Sequence, residues 1–365
     1  MFIYRRKEWP NFKWDMEVIS DILANVRHEQ GFLLGRMEGF GFNYQDEATL
    51  KNLTQDVLKS SEIEGEILDP QQVRSSIARR LGIHVAGLVP TDRHVDGAVE
   101  MMLDATQNHA DLLTEERLFG WHAALFPTGW SGMHRIVVGR WRDNTADDPM
   151  QVVSGPMGRE TVHFQAPDAD RLQMEMDAFL RWFNETTNLD PVLKAAIAHL
   201  WFVTIHPFDD GNGRIARAIM DMQLARADRS SRRFYSMSAQ IRNEREAYFK
   251  VLEETQKGPL DITEWLLWFL QCLGRALSAT HTTLADILRK TKFWDLPGAQ
   301  SINDRQRLML QRMLDGFEGK VTSSKWAKIT KVSQDTAIRD LQDLVERGLL
   351  EKEAAGGRST SYVFC

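Results

Sequence analysis

Apolar residues recur at steps of three and four through much of this 365-residue chain, the period of helices that bury one face. Segments 98–108, 115–126, 171–183, 191–205 and 215–225 carry this period most clearly. Thr114, Asp170 and Asp190 stand where side-chain oxygens would cap the first turns of three of these helices. Segment 191–205 is apolar on most faces, with Leu200, Trp201, Phe202 and Ile205 near its end, which predicts a fully buried helix. Strand-like sequence is scarce. Segments 151–154 and 160–165 are short β-favouring runs around Gly155-Pro156-Met157-Gly158, and they predict a hairpin. The pattern predicts a mainly α fold.

The pattern changes from residue 301. Helices are predicted at 304–314, 323–330 and 333–347, the last opened by Ser333 and ended by Gly348. Two strands, 349–352 and 361–364, then flank Ala355-Gly356-Gly357-Arg358. Helix, short turn, helix and a Gly-tipped hairpin predict a winged helix-turn-helix over 301–365. Segment 294–301, with Pro297 and Gly298, reads as the linker to it. Three regions result: a helical 1–110, a central 111–290 and the module 301–365.

Composition narrows the function classes. The chain is 43% hydrophobic and 26% charged, ordinary values for a globular protein. A net charge of −6 argues against a coat on nucleic acid or an anionic membrane. Two cysteines, Cys272 and Cys365, form neither a disulfide framework nor a metal spacing, which points to a reducing compartment. The first residues lack the apolar stretch of a signal peptide, and segment 262–273, interrupted by Glu264, is too short to span a bilayer. A cytoplasmic protein without a membrane partner is expected.

The densest chemistry lies in 206–217, which reads HPFDDGNGRIAR. Pro207 stops the buried helix before His206, which places that imidazole at the mouth of a loop on a rigid support. Gly211 and Gly213 let main-chain N–H groups approach a ligand, and those groups open a helix whose dipole favours anions. Arg214 and Arg217 share a helical face and could reach one polyphosphate. Asp210 beside the same anion suits a divalent metal such as Mg²⁺, which takes one or two carboxylates plus phosphate oxygens. With His206 as a base near neutral pH, the set suits attack of a hydroxyl on a nucleotide phosphate.

This segment resembles the Fic family signature, HPFx[D/E]GNGRxxR, at every specified position. The resemblance covers about 114–270 and implies a Fic-type helical core that transfers AMP from ATP to a Ser, Thr or Tyr hydroxyl of a target protein, and of the protein itself. It makes His206 the base and Asp210 the Mg²⁺ ligand, with Asn212 and the Gly211 and Gly213 backbone forming the anion hole. Arg214 and Arg217 would grip the phosphates, Arg217 nearest the γ-phosphate, and Phe208 would anchor the loop. The hairpin 151–165 corresponds to a flap that pins the target segment by strand addition. Tyr248, within REAYFKVLE, either approaches adenine or faces the core.

Residues 60–65, SSEIEG, resemble a second family pattern, [S/T]xxxE[G/N], on a helix predicted at about 47–64 and ended by Gly65. The resemblance implies that Glu64 pairs with Arg217, with Ser60 helping to hold the helix, so that ATP is turned from its productive pose. A bidentate Arg–carboxylate pair would be strong and geometrically strict. In some braked relatives the same Glu also supports removal of AMP, and braked relatives often form homodimers. Other readings stay open. The module 301–365 is either an interaction or dimerisation unit or a DNA binder, because helix 333–347 carries Arg339 and Arg347 but also Asp335, Asp340, Asp343 and Glu346, while Lys325, Lys328, Lys331 and Arg358 offer backbone contacts. The chain could then be a DNA-binding regulator with a nucleotide-sensing site, or a transferase using another nucleotide.

Overall fold

The three- and four-residue periods resolve into helices in a computed structural model that describes residues 1–365 except Ala86, Ala146, 156–158, Glu160, Asp315, Glu318 and 354–359, and describes no side chain at Asn43 or 281–291. The chain divides into two compact units, Met1–His281 and Thr282–Cys365. In order along the chain the helices are α1 (Met16–Glu38), α2 (Phe42–Ile63), α3 (Pro70–Leu81), α4 (Arg93–Gln107), α5 (Glu115–Leu125), α6 (Leu172–Asn184), α7 (Pro191–Ile205), α8 (Asn212–Asp228), α9 (Met237–Asn243), α10 (Arg245–Lys257) and α11 (Thr263–Trp294). Between α5 and α6 lie two hairpins, β1 (Trp130–Ser131) with β2 (His134–Arg135), and β3 (Gln151–Ser154) with β4 (Thr161–Gln165).

Helix α7 is buried nearly throughout, as its all-round apolar sequence requires, and it packs along α8 at the centre of the first unit. Leu53 and Val57 of α2, Val99 and Met102 of α4, Trp121 of α5 and Phe179 of α6 close the core around Phe202, Ile215 and Ile219. Two predicted caps form: the Arg117 N–H donates to Thr114 at 3.2 Å, and the Val192 N–H donates to Asp190 at 2.8 Å. Asp170 does not cap. It sits inside a 3₁₀ turn, Ala169–Arg171, and α6 starts after that turn with no side-chain cap. Helix α2 starts at Phe42, earlier than the predicted 47, and Phe42 is exposed, so its apolar side chain does not mark the buried face.

Strands β3 and β4 pair antiparallel, Gln151 with Gln165 and Ser154 with Thr161, with an irregularity between Val152 and Val153. The turn residues 156–158 and Glu160 lie outside the described residues. Phe164 fixes the hairpin's base against Phe2 and Tyr4.

The second unit contains α12 (Asp304–Leu314), β5 (Val321–Thr322), α13 (Ser323–Thr330), α14 (Gln334–Glu346), β6 (Leu350–Lys352) and β7 (Ser361–Phe364). Its sheet runs β5-β7-β6, all antiparallel, over a core that includes Leu310, Trp326, Leu341 and Leu344. Ser333 accepts from the Thr336 N–H at 3.2 Å, and Gly348 takes φ +69° past the end of α14. Strand β5, two residues long, is too short to show an alternation in sequence. The predicted tip 355–358, with Arg358, lies outside the described residues. Among the described residues no helix is long and apolar enough to cross a membrane.

Candidate functional site

The loop from α7 to α8 begins with a residue that ordinary side chains avoid. His206 adopts φ +53°, ψ +58° at the end of α7, with its N–H bonded to Phe202 O at 2.9 Å. Pro207 bars His206 from continuing the helix, and the left-handed turn swings the ring out of the helix path. The ring is half-buried, and its Nδ1 lies 3.2 Å from Val203 O. A carbonyl can only accept, so Nδ1 carries the proton and Nε2 keeps its lone pair. Burial first, then the charge of Arg142, pushes the imidazole down to about 4, so it is neutral at pH 7.

Asn212 holds the loop closed. Its side chain accepts from Phe208 N at 3.0 Å and donates to Phe208 O at 2.7 Å. The Asn212 amide is therefore occupied by the loop itself, and what the turn offers an anion is main chain: the first N–H groups of α8 take no side-chain cap. Gly211 takes φ +80°, and a Cβ there would press on the Phe126 ring at 2.9 Å. A Cβ on Gly213 would collide with Glu64 Oε1, so that glycine admits the carboxylate.

Arg217 has no exposed surface. Its Nε donates to Ser60 Oγ at 2.8 Å, and its Nη2 donates to Ser60 O and to Glu64 Oε1, each at 2.8 Å. The pair with Glu64 is thus a single bond rather than the expected bidentate one, because Ser60 takes the other edge of the guanidinium. Nη1 is buried with no partner. Glu64 caps α2 just before Gly65, whose φ of +85° turns the chain back. Arg214, 7% exposed, donates from Nη1 to Glu66 Oε2 at 2.6 Å and stacks over Phe126 at 4.9 Å; its Nε is buried without a partner. Two buried cations with unused N–H groups beside a free helix start form a natural anion receptor.

Asp210 sits at the mouth of this receptor with its side chain 43% exposed. Its Oδ1 accepts from Gly211 N at 2.5 Å, its Oδ2 accepts from Ser131 Oγ, and Arg214 Nη2 lies 3.9 Å away. The neighbouring Asp209 is occupied by the Val137 N–H at 2.8 Å. One accessible carboxylate beside an anion pocket fits a Mg²⁺ that takes its remaining ligands from phosphate and water. Among the described residues no group of three or more ligating side chains gathers anywhere.

Tyr248 lies behind Arg217 rather than on the open surface. It is 2% exposed, its hydroxyl meets His199 Nε2 at 2.9 Å, and its ring packs against Phe249, Trp265 and Trp268.

Several supporting residues gave no sequence signal. Arg142, 2% exposed, donates to His206 O at 2.7 Å and to Pro167 O at 2.6 Å, tying the α7–α8 loop to the segment after β4. His122 stacks on Phe208 at 4.2 Å and reaches Asp210 O at 3.2 Å from Nε2, while Gly139 N donates to its Nδ1. Burial keeps that ring neutral, with a value of about 4. Only the distances reveal them.

Residues 112–224 match the family model of the Fic/DOC family, and residues 2–83 match a domain of unknown function, DUF4172. Among named relatives, a protein adenylyltransferase Fic from Drosophila sechellia is 30% identical over 160 residues, 42% of this chain and 29% of the relative. One of the same description from Aedes aegypti is 27% identical over 233 residues, 61% of this chain and 40% of the relative. The chain thus spans well under half the length of either. The crystal structure of a Fic family protein from Desulfovibrio desulfuricans G20 covers 94% of this chain and 96% of its own, with a TM-score of 0.54 at 21% identity, a likeness of fold.

Proposed function

We propose, from the match of residues 112–224 to the Fic/DOC family model, that the protein transfers the AMP part of ATP to a Ser, Thr or Tyr hydroxyl of a target protein. The observation that supports this most is a neutral His206 with Nε2 free, one turn of loop away from a buried Arg217 that still has an unused N–H. In the reaction, Nε2 of His206 accepts the proton of the target hydroxyl. The hydroxyl oxygen then forms a bond to the α-phosphorus, the bond from that phosphorus to the β-phosphate oxygen breaks, and pyrophosphate leaves. The N–H groups that open α8 and the arginines stabilise the charge on the phosphate oxygens. Mg²⁺, held by Asp210, would supply charge neutralisation on the phosphates when bound.

The resting enzyme is restrained. Glu64 occupies the guanidinium that would receive the γ-phosphate, so helix α2 within region 1–110 acts as a brake. The target segment is read as a strand added to the hairpin at 151–165, where Val153 and Val162 are exposed apolar positions. With α-labelled ATP and Mg²⁺, His206→Ala should abolish label transfer to protein, and Glu64→Gly should raise it above wild type. Transfer that persists in His206→Ala would remove the proposed base.

We also propose, from a separate observation, that 301–365 is a winged-helix module that contacts DNA. Asp340 is buried and bound by Arg305 at 3.1 and 3.2 Å, and Asp343 is paired with Arg347 at 2.8 Å. Of the four acids on α14, Asp340 is therefore spent in the core and Asp343 on Arg347 next to it, while Lys325, Lys328, Lys331 and Arg339 are exposed together with Asp335 and Glu346. Gel shifts of the full chain at two salt concentrations test this: binding that weakens steeply with salt supports it, and no shift at low salt overturns it.

A further inference from the structure

The inhibitory pattern read from sequence ends at Gly65, but the turn that follows it delivers a second carboxylate. Glu66 N bonds to Ser61 O at 3.0 Å across the left-handed Gly65, which folds the chain back over the end of α2. In consequence Glu64 and Glu66 both address the first turns of α8. Glu64 takes Arg217, and Glu66 takes Arg214 at 2.6 Å. The other oxygen of Glu66 is held by His94 Nε2 in the first turn of α4, so a third element fixes the carboxylate.

Resting on the nucleotide reading above, we infer that Glu66 is a second restraining carboxylate, which occupies Arg214 as Glu64 occupies Arg217, and that His94 is the positioning residue that keeps it there. Three carboxylates, Glu64, Glu66 and Asp210, face two arginines in this receptor. An incoming polyphosphate must displace the Glu66–Arg214 pair before Arg214 can serve it. Withdrawal of Glu64 alone leaves that competition in place, because Glu66 hangs from a separate anchor on α4. The two restraints therefore act on different phosphate contacts and add. An alternative role, in which Glu66 orients Arg214 toward phosphate, predicts the opposite sign.

The test uses the full chain carrying His206→Ala, so that no turnover occurs, titrated calorimetrically with α,β-methylene ATP and Mg²⁺. Glu66→Gln should tighten binding roughly fivefold or more, both with Glu64 present and in the Glu64→Gln background. His94→Ala should tighten it in the same direction by less, and circular dichroism of each variant checks the fold independently of ligand. Unchanged or weaker binding in Glu66→Gln, alongside tighter binding in Glu64→Gln, overturns the second restraint while leaving the nucleotide reading intact. If no variant binds the analogue, the nucleotide reading falls and this inference with it.

Discussion

Two arginines without exposed surface, Arg217 and Arg233, lie close in the first unit and are used in opposite ways. Arg233 is enclosed by groups as buried as itself. It binds Asp221 at 3.0 Å and Asp228 at 2.7 Å, lies over the Tyr235 ring at 4.4 Å, and both carboxylates are at most 1% exposed. Arg217 is equally buried, but its carboxylate, Glu64, is 33% exposed. A closed ionic cluster can only be broken at the cost of stranded charge. A half-open one can exchange its carboxylate for another anion at little cost. On the proposed function, the contrast separates scaffold from switch on one helix, since Asp221 and Arg217 both belong to α8.

The largest effect should therefore come from breaking the closed cluster. Arg233→Met leaves Asp221 and Asp228 buried without their counter-ion and should destabilise the protein by about 3–5 kcal/mol. Arg217→Met frees a carboxylate that can hydrate, and should cost roughly 1–2 kcal/mol. Guanidinium denaturation of both variants measures the difference. Equal losses would erase the distinction between scaffold and switch.

The switch was far more legible in sequence than the scaffold, for a physical reason. The groups at 206–217 are neighbours in the chain, so a base, a turn, two arginines and a helix start can be assigned from spacing alone. Glu64 lies far upstream and was reached only through a second recognisable pattern. The scaffold cluster is assembled from Gln30, Asp56, Asp221, Asp228 and Arg233, each of which reads locally as a solvated helix or loop position. Asp340 misled for the same reason, as an acid counted against a DNA-facing surface when it points into a core. The all-round apolar α7 was the clearest element because burial on every side leaves no polar face to misread. A single polar residue carries no mark of whether its partner is water or a distant side chain.

Next in size is the loosening of the switch itself. Glu64→Gly should raise AMP transfer roughly fivefold or more, while shifting the midpoint of denaturation far less than Arg233→Met does. Label incorporation and denaturation on the same preparation test both halves. If Glu64→Gly unfolds the protein as Arg233→Met does, the Glu64–Arg217 pair belongs to the scaffold.

The smallest effect is one of sign, and it comes from titration. Burial, aided by the Asp221 charge, pushes Asp56 well above the ordinary carboxylate range; burial likewise raises Asp221. An acid whose value is raised by folding contributes stability that is lost as pH climbs from about 3.9 through the raised value. The site histidines behave in the reverse way. His206 and His122 are lowered to about 4 and His199 to about 3, each chiefly by burial. Their stabilising neutral form is lost as pH falls from about 6.5 toward 4, since the unfolded chain then binds the protons more tightly. Asp56→Asn should therefore flatten the decline of stability above pH 4, and leave the acid decline below pH 6.5 in place. Transfer by the Glu64→Gly variant should run level from pH 8 to about 5.5, because the base is already neutral there. An acid limb centred near 6.5 would mean that His206 titrates as a solvated imidazole, and that the burial around it does not set its chemistry.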